Sequence, residues 1–103
     1  MPFAPGNDSK TLPKKGEKLQ EPKDYRVVLL NDDFTTMDFV VQVLRSVFHL
    51  SMEDASYIML CVHKKGRGIV GVYTFDIAHT KADQVHKMAD ESQFPLRCIV
   101  EEV

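Results

Sequence analysis

The sequence predicts an α+β fold, an α/β sandwich in the order strand-helix-helix-strand-helix-strand, with a small, mainly antiparallel sheet carrying helices on one face. Three observations carry that prediction. Two runs rich in β-branched and aromatic residues, 25–30 and 68–75, have the composition of strands. Between them lie two segments with apolar residues at 3.6-residue spacing, each behind a capping signature. A third helical period comes after the second of these runs, and Pro95 then introduces a last apolar run.

Tyr25-Arg26-Val27-Val28-Leu29-Leu30 reads as the first strand, bounded by Asn31-Asp32-Asp33. Thr35-x-x-Asp38 resembles a capping box and opens a helix to about His49, with Met37, Val40, Val43, Leu44, Val47 and Phe48 on its apolar stripe. Ser51-Met52-Glu53-Asp54 is a second cap of the same type. The helix behind it runs to about Lys65, where Gly66 is suited to the left-handed stop. Gly68 to Phe75 is the second strand. Asp76 is placed to cap a third helix over about 77–91, and 96–100 forms the last strand.

Residues 1–24 differ in composition from the remainder of the chain, which sets a boundary between a flexible N-terminal arm and a folded domain over 25–103. Four of the five prolines fall in the arm, together with five lysines and four acids. That composition buries too little surface to offset the entropy of ordering. It serves either as a solubilising tail or as a tether that reaches a partner. With a net charge of −2, nothing in the totals argues for nucleic acid or an anionic membrane as partner, and neither is expected; no apolar run approaches the roughly 18 residues of a membrane span. Neither a secretory signal core nor an arginine-rich transit peptide is evident. Cys61 and Cys98 sit in apolar surroundings without a C-x-x-C, as core thiols of a reducing compartment do, so the expected location is the cytoplasm.

The chemistry concentrates where the first strand stops on Asn31, Asp32 and Asp33. Turn formation and helix capping are the plainer role for such residues, yet three in a row exceed what one turn needs. A second anomaly lies in the second helix. Ile58-Met59-Leu60-Cys61-Val62 is apolar all round the helix, which a helix with one wet face should not be. Met59, Val62 and His63 share a face at i, i+3 and i+4. By default Met59 and Val62 are core and His63 a surface residue. Brought together, the two segments would instead form an apolar pocket rimmed by acceptors. An ammonium group has three N–H donors and no acceptor, so an Asn carbonyl, an Asp carboxylate and a neutral His ring would satisfy it. A free polypeptide N-terminus followed by a large apolar side chain fits that description.

The chain resembles the ClpS family, adaptors of the Clp AAA+ protease that recognise N-degrons. The likeness spans about 22–103 and rests on Asn31-Asp32-Asp33-Phe34-Thr35-x-Met37, Met59-Leu60-x-Val62-His63-x-x-Gly66, Gly71-Val72-Tyr73-Thr74, Ala78-x-Thr80-Lys81 and Pro95-Leu96-x-Cys98. The resemblance implies a fold similar to the C-terminal domain of the ribosomal stalk protein and no cofactor. It implies that Asn31, Asp33 and His63, with Asp32 adjacent, hold the substrate's α-amino group. The side-chain pocket implied is Leu29, Thr35, Met37, Val40, Met59, Val62 and Leu96, with Met37 a gatekeeper against β-branched first residues, so that Leu, Phe, Tyr and Trp are the ligands. Asp76, His79 and Lys81 match a surface that contacts the N-terminal domain of the Clp unfoldase. The arm resembles the segment that engages the unfoldase during hand-over, and the protein is expected to be a monomer. Two positions depart from the family pattern: Thr36 stands where proline is common, and His79 where an acid is common.

Two other classes remain open on the sequence alone. Asp32, Asp33 and His63 could form a metal site or an acid–base set of an enzyme. No H-x-x-x-H or cysteine pair accompanies them, however, and His79 and His86, two helical turns apart, are too far to share an ion. A scaffold of the same fold without an amine pocket would lack the acceptors or His63, and this sequence has both. Lys64-Lys65-x-Arg67 is a short basic patch that reads as a solvated helix end.

Overall fold

The computed structural model describes residues 23–103. Apart from Lys23 and Asp24, the expected N-terminal arm lies outside the described residues. Six elements occur in the predicted order: β1 (Tyr25–Leu30), α1 (Met37–Ser46), α2 (Met52–Lys65), β2 (Arg67–Tyr73), α3 (Phe75–Glu91) and β3 (Arg97–Glu102). The sheet is antiparallel throughout, with β1 in the middle and β2 and β3 at the edges. Leu29 pairs with Gly68 on one side and Cys98 on the other.

Alternation along β1 sorts the two faces of the sheet. Val27 and Leu29 join Val70 and Cys98 in the core with the helices, through Val43, Leu44, Ala55, Val62, Ala78 and Val85. Val28 points the other way. It is sealed within a face that otherwise leaves Ile69 and Val72 half exposed and pairs Glu101 with Arg67 at 2.8 Å and Arg26 at 3.3 Å. The helices therefore lie on one face, as the period-2 pattern requires. A register shift between Val27 and Val28 gives β2 one extra residue and turns both Val70 and Gly71 away from that open face.

Both later strands shift by one or two residues at their ends, to Arg67–Tyr73 and Arg97–Glu102, and three helix ends differ from the sequence reading. Thr36, not Thr35, caps α1: its Oγ1 accepts from the Phe39 N–H at 3.1 Å, because the Thr35 hydroxyl is engaged by Asp32. The same helix stops at Ser46 rather than His49, and His49 takes the left-handed conformation with φ 57°. Asp76 does not cap α3. The helix starts one residue earlier, behind Thr74, and Asp76 lies in its first turn, where a carboxylate still complements the helix dipole. Ser51 caps α2 as expected, accepting from the Asp54 N–H at 3.1 Å, and Gly66 ends it at φ 88°.

One close approach positions α2. A Cβ on Gly68 would lie 2.8 Å from Cγ2 of Val62 and 3.1 Å from the carbonyl oxygen of Ile58. The absent side chain lets α2 press its Val62 face onto the sheet.

Candidate binding site at the hinge between the first strand and helix

Residues 31–36 connect β1 to α1, and the carboxylate of Asp32 organises them. Its Oδ1 accepts from the backbone N–H of Phe34 at 2.8 Å and of Thr35 at 2.7 Å, while its Oδ2 accepts from the Thr35 hydroxyl at 2.7 Å. Partial burial alone would push this carboxyl up. The Thr35 hydroxyl and the two backbone N–H groups outweigh that and hold it below the usual carboxylate range. The hinge is tied to α2 as well, since the Asn31 N–H donates to the Gly66 carbonyl at 3.0 Å. Gly66 in turn donates to the Val62 carbonyl at 3.0 Å. The polar corner at the end of β1 is thereby stitched to the last turn of α2, which carries His63.

Between these segments lies a cavity of about 510 Å³, within the range of small-ligand clefts, roughly 300–1,000 Å³. Asn31, Asp32, Asp33, Thr35 and Thr36 contribute polar atoms from the hinge, and His63 from α2. Met37 and Val40 of α1, Met59 and Val62 of α2, and Phe34 supply the apolar walls. Val62 and Val40 are almost wholly buried, whereas His63, Asn31 and Asp33 are exposed. The chemical character is thus split, with acceptors at an open rim and hydrocarbon below. Such a cavity suits a cation joined to an apolar group.

Nine of the eleven residues expected at an amine site or its side-chain pocket line this one cavity; Leu29 and Leu96 do not. They are 0% and 3% exposed and belong to the core beneath the helices. Leu29 sits mid-sheet between Gly68 and Cys98, so its side chain packs against protein and lies too deep to wall the cleft. Two lining residues, Phe34 and Thr36, were missed by sequence reasoning. An aromatic ring inside an otherwise polar hinge was the available signal for Phe34.

Asp32, expected beside the substrate amine, lines the same cavity and also shapes the hinge. Its two oxygens are engaged in shaping the hinge, leaving Asn31, Asp33 and His63 as side chains with acceptor atoms at the rim. Among the described residues, no group of three or more His, Cys, Asp or Glu is arranged to hold a metal ion. The alternative of a metal site built on Asp32, Asp33 and His63 therefore finds no ligand set. His86 has a structural task, its Nε2 accepting from the Cys98 N–H at 3.0 Å.

The second expected surface is on α3. Asp76 and His79 are exposed in its first turns, and Asp76 and Lys81 line a small cleft with Ile77, Thr80 and Gln84. His79 packs on Phe75 with ring centroids 4.2 Å apart, and Phe75 meets Tyr25 edge-on at 5.3 Å. Lys81 is partly committed elsewhere: its Nζ donates to the Val47 carbonyl at 2.9 Å and lies 5.7 Å from the centre of the Phe48 ring. It therefore ties α3 to the C-terminal end of α1. The thiols of Cys61 and Cys98 are unpaired, and burial pushes that of Cys98 up to about 12. Among the described residues no helix is long and apolar enough to cross a membrane.

Comparison with known proteins places this geometry in context. The sequence model of one family, the ATP-dependent Clp protease adaptor protein ClpS, matches residues 20–99. The ClpS adapter of Syntrophus aciditrophicus is 56% identical over 87 residues, covering 84% of this chain and 81% of its own. That of Wolinella succinogenes is 50% identical over 99 residues, covering 96% and 97%. Among solved structures, Agrobacterium tumefaciens ClpS2 bound to L-phenylalaninamide superposes with a TM-score of 0.79 at 40% identity, over 81% of this chain and all of that one.

Proposed function

The chain belongs to the ClpS family, adaptors of the ATP-dependent Clp protease, and we propose that it captures polypeptides by a free N-terminus whose first residue is large and hydrophobic. Leu, Phe, Tyr and Trp are the residues read. The α-ammonium is held by Asn31, Asp33 and His63, and the side chain enters the cleft over Met59 and Val62, between Met37 and Val40. Asp32 and Thr35 hold the hinge in shape. The observation that carries this reading is the joining of rim acceptors and buried hydrocarbon in a single cavity. The similar ClpS2, bound to an amino-acid amide with a free amine and an aromatic side chain, supports it.

Delivery requires a second contact. We assign it to the exposed start of α3, where Asp76 and His79 flank the Phe75 ring, with Lys81 beside them, and to the N-terminal domain of the Clp unfoldase as its partner. In this scheme residues 1–24 are the tether for hand-over, the protein acts as a monomer in the cytoplasm, and it binds rather than catalyses. Fluorescence anisotropy with a labelled Leu-initiated peptide and its N-acetylated twin tests the pocket. Acetylation removes the charge and leaves rim acceptors unpaired, so affinity should fall at least about tenfold. Equal affinities would reject the site.

A further inference from the structure

We propose, on the premise that the cavity takes a free N-terminus, that Phe34 is a platform for the side chain of the substrate's second residue, so that two substrate positions are read instead of one. Among the described residues Phe34 is the most exposed large hydrophobic, at 75%, and yet it contributes to the cavity wall. Most of the ring therefore stands beyond the mouth, where a first side chain seated on Met59 and Val62 leaves it uncovered. The neighbouring residue of a bound peptide has its Cα only about 3.8 Å from the first, which makes its side chain the nearest substrate group outside the mouth. The backbone that carries the ring is also anchored. Asp32 Oδ1 accepts from the N–H of Phe34 itself and from that of Thr35, at 2.8 and 2.7 Å, pinning the peptide planes on both sides. An exposed aromatic on an anchored backbone favours apolar and especially aromatic second residues, through offset or edge-on ring contact.

Three ligands separate this role from the pocket itself: leucinamide, which has no second residue, and two otherwise identical peptides beginning Leu-Gly and Leu-Phe. Calorimetry on the full chain should show Leu-Phe binding about three- to tenfold tighter than Leu-Gly. Phe34→Ala should abolish that preference, bringing the two peptides to equal affinity within about twofold, and Phe34→Tyr should restore it. Because the ring is exposed, the alanine variant should melt with the wild type. The proposal is overturned if wild type does not distinguish the two peptides. It is equally overturned if Phe34→Ala weakens all three ligands alike, since the ring would then only wall the first pocket. Failure of wild type to bind any of the three would overturn the N-terminal pocket and this role together.

Discussion

Asp32 and Asp33 are chemically identical neighbours in different surroundings, Asp32 bonded into the hinge and Asp33 exposed at the cavity, and the tasks we propose for them can be separated by mutation. Replacing Asp32 by alanine removes three hydrogen bonds, of 2.8, 2.7 and 2.7 Å. Bonds to a charged group are worth roughly 1.5–3 kcal/mol each when buried, but this carboxylate is only partly shielded. The measured cost of losing a helix cap, about 0.5–2 kcal/mol, is the better guide. We expect Asp32→Ala to lose about 1–2 kcal/mol, a drop in Tm of roughly 5–15 °C for a domain of this size. Asp32→Asn keeps an oxygen for both backbone N–H groups and offers an amide donor to the Thr35 hydroxyl, so it should lose less than about 1 kcal/mol.

Binding should separate the two positions further. Asp32→Asn should hold leucinamide within about threefold of wild type, whereas Asp33→Asn, which discharges a rim acceptor, should cost about tenfold or more. The pH dependence has a definite sign. A carboxyl held below its ordinary range contributes stability at every pH above its unfolded value, near 4, and that contribution disappears as pH falls through the folded value. The Tm gap between wild type and Asp32→Ala should accordingly stay constant near neutrality and close below about pH 4. Thermal melts and anisotropy competition suffice to check this. An unchanged Tm in Asp32→Ala, or equal losses of leucinamide affinity in Asp32→Asn and Asp33→Asn, would refute the division of labour.

Two further outcomes concern the scaffold. His49 is exposed in a left-handed conformation with φ 57°, so His49→Gly should raise stability by about 0.5–1 kcal/mol, read from a denaturant midpoint shift at unchanged slope. The Cys98 thiol, pushed up to about 12 by burial, should stay unmodified by iodoacetamide at pH 8 under native conditions and react once the protein is unfolded, as mass spectrometry would show.

Element order and type were legible because each element satisfies a local rule. Tyr25 to Leu30 is a β-branched strand ending at three turn formers, and Gly66 stops α2 in the one conformation where glycine is favoured. What could not be read were choices between equivalent residues that tertiary contacts decide. Thr35 and Thr36 are equally good caps, and a carboxylate three residues before Thr35 captures its hydroxyl, leaving Thr36 to cap. Asp76 offered the stronger capping signal in 74–77, whereas α3 begins at Phe75 behind Thr74, which makes no side-chain cap bond. Hydrophobic period told that Leu29 is buried, but whether it is buried by helices or by a ligand depends on the depth of the sheet below the cleft. The cluster at the rim was legible for the opposite reason. Asn31, Asp32 and Asp33 in a row exceed what one turn needs, and with His63 at the end of α2 such a surplus of acceptors points beyond secondary structure.

The split character of the cleft has an energetic consequence for selectivity. Burying one large aliphatic or aromatic side chain contributes about 1.5–3 kcal/mol, and each hydrogen bond from the ammonium to the rim about 1.5–3 kcal/mol. Against these stands an association cost of at least about 4 kcal/mol. The side chain alone leaves nothing over, so an internal leucine or phenylalanine exposed on a protein surface gains no hold on Met59 and Val62. An amine alone, on a chain beginning with glycine or serine, leaves the hydrocarbon floor in contact with water. Both together, with three such bonds and that cost subtracted, come to roughly −2 to −8 kcal/mol, micromolar binding at the favourable end. In the proposed reading, selectivity therefore arises where the two interactions meet in one cavity, and it needs the covalent adjacency that only the first residue of a chain provides. The hydrogen bond from Asn31 to Gly66 matters for that reason: by fixing the hinge against the end of α2, it sets the distance between the two halves that a substrate bound in the proposed way has to match.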